Sequence, residues 1–164
     1  MGKFEFRFLG NINNESANEF IRFVKSQDKL ENFDVYINSS GGEVSAAITI
    51  YNFIKSLPVE VHTHNFAEVS SAAVLIFLAG TIRTCDEETK FMIHPISYGG
   101  SGELRYPLLQ ELIAGLEVDI KNYASIVNNE TNNLNGLINI DRYLKYESLI
   151  LNKNDAIKCG IVNR

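Results

Sequence analysis

Residues 33–42, Phe-Asp-Val-Tyr-Ile-Asn-Ser-Ser-Gly-Gly, run from an apolar strand straight into paired glycines, and a helical pattern opens at Val44. Strand and helix patterns alternate in this way through the first half of the chain. Strands separated by helices pair in parallel, so the alternation predicts an α/β fold. Phe4, Phe6 and Phe8 alternate with Lys3, Glu5 and Arg7, the mark of a strand with one buried face, which Gly10 is expected to end. Asn13-Asn14-Glu15-Ser16 then offers capping residues for a helix to about Gln27, with Ala17, Phe20, Ile21 and Val24 on its inner face. A helix over 44–57 stops at Pro58. A strand is predicted over 59–64, a short helix apolar on every side over 71–79, and further strands over 81–85 and 90–93.

The second half reads as helical. A long helix over 107–128 carries Leu108, Leu112, Ile113, Leu116, Ile120, Tyr123 and Val127 as its apolar stripe. Shorter helical stretches are predicted at about 134–146 and 153–158, with Gly160 as a C-cap. The asparagine-rich stretch 128–139 reads as a polar turn region. No repeat and no linker divides the chain, so residues 1–164 form one domain.

Bulk properties narrow the function. With 164 residues and 45% apolar content, the chain can bury a real core. A net charge of −5 and a pI near 5.2, with no Lys/Arg cluster, argue against nucleic-acid binding. The longest apolar run, 72–80, is too short to span a bilayer, and the Met1-Gly2-Lys3-Phe4 start has no signal-peptide or myristoylation pattern. Cys85 and Cys159 stand far apart in no metal-ligand spacing, as in a reduced, cytoplasmic protein.

Three segments carry chemistry. Ser39-Ser40-Gly41-Gly42 supplies a glycine turn with backbone N–H groups; Ser70-Ser71-Ala72-Ala73 sets serine at a helix start; Met92-Ile93-His94-Pro95 adds an imidazole behind a strand. In that order they are the parts of an acyl-transfer site. The residues alone leave Ser70 and Ser71 both open as nucleophile. His62 and His64 share one strand face at a spacing that can chelate a metal, yet no third ligand stands at a recognisable spacing, so solvent-facing histidines and no metal are expected.

With these segments the chain resembles the ClpP-type serine peptidases, the proteolytic subunit of Clp protease, of the crotonase-like fold. The likeness rests on Tyr36-Ile37-Asn38-Ser39-Ser40-Gly41-Gly42 (with Ser40 where proline is usual), Met92-Ile93-His94-Pro95, Gly99-Gly100-Ser101-Gly102 and 155–162, and runs from Phe4 onward. It implies a superhelix of ββα units with a protruding handle helix, the handle region covering about 95–130. It also implies Ser71, nine residues before Gly80, as nucleophile and His94 as base. The oxyanion hole falls on Gly41, Gly42 and Ala72, and an extended polypeptide substrate would lie along Tyr98, Gly99, Gly100 and Ser101. No cofactor is implied. The triad aspartate position falls on Leu144, leaving Asp141, Glu147 or no acid to complete the triad; Asp141 is the tentative choice.

The resemblance further implies a homo-oligomer of heptameric rings, stacked as a tetradecamer. An AAA+ unfoldase is the family's partner, but a first strand beginning near Phe4 leaves little room for the axial loops that serve it. Two other functions compete with a peptidase: a non-catalytic ring subunit, motivated by Leu144, and an acyl-CoA hydratase or hydrolase of the same fold.

Overall fold

The computed structural model describes residues 4–103 and 105–164. Met1–Lys3 and Leu104 lie outside the described residues, and with them the Met1-Gly2 start, the Lys3 end of the alternation and one position of the 95–130 segment. The elements in order are β1 (Glu5–Ile12), α1 (Asn14–Lys25), β2 (Phe33–Gly42), α2 (Val44–Ser56), β3 (Val61–Ser70), α3 (Ala73–Leu78), β4 (Ile82–Cys85), β5 (Lys90–Ile93), α4 (Tyr106–Glu130), α5 (Ile140–Lys145), β6 (Leu149–Leu151) and α6 (Lys153–Lys158).

The sheet runs β1-β2-β3-β5-β6, with β4 also paired to β3. All pairings are parallel except β5 with β6. The long β3 serves two neighbours in turn: residues 62–65 pair with β4, and 68–70 pair with β5. This division brings the end of β3, and the serines after it, beside the strand that leads to His94.

The phenylalanine alternation packs as expected. Phe4 stacks on Phe23 at 4.9 Å and Phe6 meets Phe20 edge-on at 5.0 Å, joining β1 to α1. Asn13 caps α1 with a reciprocal box: its side chain accepts from the Ser16 amide, and Ser16 Oγ accepts from the Asn13 amide. Every residue of α3 is fully buried, packed among β2, β3, α2 and α4.

Four expectations need correction. Gly10 does not end β1; it sits at φ 110° in an irregularity between Leu9 and Asn11, and the strand resumes to pair Ile12 with Gly42. Ser39-Ser40-Gly41-Gly42 is the bulged end of β2, because that pairing with β1 holds it in the sheet. The third strand continues past His64 to Ser70, held there by β5. The 134–146 stretch is not one helix. Asn132, Asn133, Leu134 and Asn135 have φ of 51–56°, and Gly136 of 71°, so only Ile140–Lys145 is α-helical. Asparagine tolerates the left-handed region better than most residues, which makes this turn possible. β6 is a further element, with no strand pattern of its own in the sequence.

Arg83 on β4 is buried with its charge. Its guanidinium donates to the carbonyls of Gly80, Glu130, Gly160 and Ile161 at 2.8–3.3 Å, drawing α4 and the chain after α6 onto the sheet. By contrast, only Tyr123, Ala124 and Val127 of α4 are buried. Leu108, Leu109, Ile113 and Val118 stand exposed along its outer length, so the helix projects as a handle.

Candidate active site

The site is built where β3 stops. Ser70 is wholly buried, and its hydroxyl donates to Glu68 Oε1 at 2.7 Å, while Glu68 Oε2 faces Lys90 Nζ at 3.2 Å on β5. The Ser70 bond, ahead of the lysine, holds the Glu68 carboxyl below its ordinary range. Ser71 follows at φ 54°, a left-handed conformation that costs a non-glycine residue about 1–3 kcal/mol. Its amide donates to Met92 O at 2.8 Å, and its carbonyl accepts the Tyr123 hydroxyl at 2.8 Å. Three elements, β3, β5 and α4, therefore fix one serine. From Val69 to Gly80, Ser71 alone is not buried.

The two glycines close on this turn. A Cβ on Gly41 would stand 2.6 Å from Ser71 Cβ and 2.8 Å from Ser70 O, so only glycine lets β2 approach the serine. The Gly41 amide donates to Ser39 Oγ at 3.1 Å. A Cβ on Gly42 would run into the Ile12 carbonyl oxygen. Ala72 begins the buried run that becomes α3.

His94 lies just past β5, two residues beyond Met92, and is half-buried. Its Nδ1 is 2.9 Å from the Pro95 carbonyl oxygen. A carbonyl only accepts, so this contact is a hydrogen bond in the tautomer that carries its proton on Nδ1, the one that leaves Nε2 as the acceptor. Leu144 is fully buried, and its carbonyl accepts the Ile96 amide at 3.1 Å. Asp141 is exposed on the first turn of α5 and borders a separate cavity of about 590 Å³ with Glu117, Lys121 and Lys145. Glu147 pairs with Arg142 at 2.7 Å. Among the described residues, neither acid bonds to His94.

A cavity of about 470 Å³ is lined by both the Gly42–Ser45 stretch and the 96–99 segment. Tyr98 and Gly99 line it; Gly100 and Ser101 continue the exposed segment beyond it. Residues 4–164 match the family model described as Clp protease. The chain belongs to the Clp protease family.

Among Clp protease proteolytic subunits, the chain is 32% identical to that of Mesostigma viride over 125 residues, covering 68% of this chain and 55% of that one. It is 30% identical to subunit 1 of Rhodopirellula baltica over 100 residues, covering 58% of this chain and 44% of that one. The chain thus spans about half the length of the curated relatives it matches. In fold it is similar to a ClpP1 mutant from Listeria monocytogenes, with a TM-score of 0.80 at 22% identity over 97% of this chain and 88% of that one.

Several residues around this candidate site were not legible in the sequence. Tyr123 falls on the apolar stripe of the long helix, and nothing in spacing marks its hydroxyl as the partner of Ser71 O. Glu68 and Asp119 fall at positions that no motif covers. Asp119 lines the 470 Å³ cavity, and burial pushes its carboxyl above the ordinary value. His62 and His64 are not simply solvent-facing: His62 Nδ1 meets Asp34 at 3.3 Å, and His64 contacts Thr84 at 2.8 Å and Asp86 at 3.3 Å. Among the described residues, no group of three such side chains is placed to hold a metal ion, and no helix is long and apolar enough to cross a membrane.

Proposed function

We propose that this Clp-type chain is a cytoplasmic serine endopeptidase that cleaves unfolded polypeptides or short peptides through an acyl-enzyme at Ser71. The observation that carries this reading is the left-handed Ser71 turn, bonded to β5 and packed against Gly41. Ser71 Oγ attacks the peptide carbonyl while His94 Nε2 takes its proton. The N–H groups of Gly42 and Ala72 hold the oxyanion, and Gly41 contributes the space its missing side chain leaves. Collapse breaks the C–N bond, His94 returns the proton to the leaving amine, and water then hydrolyses the ester by the same steps in reverse.

The Pro95 carbonyl, rather than Asp141, orients the imidazole in this scheme. A neutral carbonyl stabilises the imidazolium less than a carboxylate does, and disabling a triad aspartate can cost about 10⁴ in turnover. Slow turnover follows. The exposed apolar residues of α4 favour assembly into heptameric rings paired handle to handle, which would confine access to unfolded chains.

One observation favours a second reading. Leu144, buried beside the segment that follows His94, fits a ring subunit with a structural role. Labelling native, size-fractionated protein with a fluorophosphonate, then mapping the adduct, separates the two. A single adduct on Ser71, lost in His94→Ala, is expected; no adduct in any fraction would leave the structural subunit.

A further inference from the structure

The cavity of about 470 Å³ is lined by Asn11, by Gly42–Ser45, by Ile96–Gly99 and, from α4, by Leu116 and Asp119. Among the described residues, no lysine or arginine lines it. Its second acid, Glu43, is exposed and already accepts a bond from Asn14 Nδ2 at 3.3 Å. Asp119 has no hydrogen-bond or ion-pair partner among the described residues. Its carboxyl is half-buried, and the burial that pushes its pKa up is opposed by no neighbouring cation.

The chemistry around Asp119 fits one kind of side chain. Leu116 and Ile96 offer apolar wall to a methylene stem, and Asp119 lines the same cavity with a carboxyl group. Tyr98 adds an aromatic surface for a cation. An aliphatic side chain would shield Asp119 further without supplying a partner, and an acidic one would be repelled. We propose that Asp119 is a specificity-determining residue that selects peptides carrying a lysine or arginine close to the cleaved bond, its carboxylate seating the cationic head. This rests on the serine-peptidase reading of the same groove.

The test is a set of fluorogenic peptides that differ at one position, lysine against its uncharged near-isostere norleucine and against glutamate, with that position walked along the peptide. The ratio of kcat/KM values is the readout. At one position lysine is expected to exceed norleucine about tenfold, the size of one charge-assisted hydrogen bond in a partly solvated site. Asp119→Asn brings the ratio to about one, Asp119→Glu retains the preference, and Asp119→Lys turns it towards glutamate. Equal rates for lysine and norleucine at every position, or a lysine preference that survives Asp119→Asn, overturns the inference. Fluorophosphonate labelling of Ser71 in each variant shows whether the site has folded. It also separates the two claims: an adduct without a cation preference defeats only this inference, whereas no adduct defeats the peptidase. In that second case the same peptides, read by fluorescence anisotropy, decide whether the groove still prefers lysine through Asp119.

Discussion

The carbonyl of Leu144 accepts the amide of Ile96 at 3.1 Å, tying α5 to the segment two residues past His94. A leucine thus occupies the neighbourhood where the family resemblance places a carboxylate. Leu144→Asp is expected to speed fluorophosphonate acylation of Ser71 by about tenfold or more, the carboxylate replacing a neutral carbonyl as the partner of His94. It is also expected to lower the unfolding free energy by about 2–5 kcal/mol, because a fully buried aliphatic side chain is lost. Labelling rates and urea unfolding check both. An unchanged rate in folded protein would show that residue 144 does not serve the imidazole.

Tyr123→Phe removes one hydroxyl and leaves the Ser71 carbonyl without its 2.8 Å donor. The expected loss is about 1–2 kcal/mol in unfolding free energy, since a buried acceptor loses its partner. Tyr123 acts on the reaction by positioning the serine, so kcat is expected to fall with KM little changed. Steady-state kinetics beside a denaturant melt would reveal a purely structural role as loss of stability alone.

Gly41→Ala places a methyl group against Ser71 Cβ, at a backbone φ of 104° that alanine resists. Ser71 labelling is expected to disappear. Gly99→Ala meets no atom within 4 Å and is expected to stay folded and labelled. A labelled Gly41→Ala protein would break the proposed packing of glycine on nucleophile.

Ser70→Ala tests the adjacent serine and the carboxylate it serves. Labelling is expected to survive, because the Ser70 hydroxyl is buried on Glu68. The Glu68 pKa is lowered in the folded state, first by Ser70 and then opposed by burial and aided by Lys90. Its stabilising contribution is therefore complete above the unfolded carboxyl pKa and is lost as pH falls through the lowered folded value. The stability gap between wild type and Ser70→Ala is expected to be open at neutral pH and to close in acid. Chemical unfolding across that range measures it; a gap independent of pH would remove the Glu68 explanation.

Much of the architecture was readable because the first half of the chain alternates strand and helix patterns cleanly. The aromatic alternation at Phe4, Phe6 and Phe8 and the Asn13–Ser16 capping box were local signals with local outcomes. The misreadings came where tertiary pairing overrode local chemistry. Gly10 and the Ser39–Gly42 stretch look like turns, yet β1 and β2 hold each other in register through both. Leu149–Leu151 is too short to declare itself, and exists as a strand because β5 offers an antiparallel edge. At the site, order and residue type point to a serine at 70 or 71 and to His94, and the family resemblance is what singles out Ser71. Tyr123 and Asp119 are not found this way, since a helix stripe says nothing of which residue meets a serine or faces a groove.

Arg83 has a consequence for the order of assembly. Its carbonyl partners at residues 130, 160 and 161 are far downstream in the chain, so β4 leaves the ribosome long before they exist. Without them the guanidinium would keep only the Gly80 carbonyl as a partner, and a buried charge so poorly paired is costly. A single cation thereby makes a closed core at β4 depend on residues 130, 160 and 161 being in place.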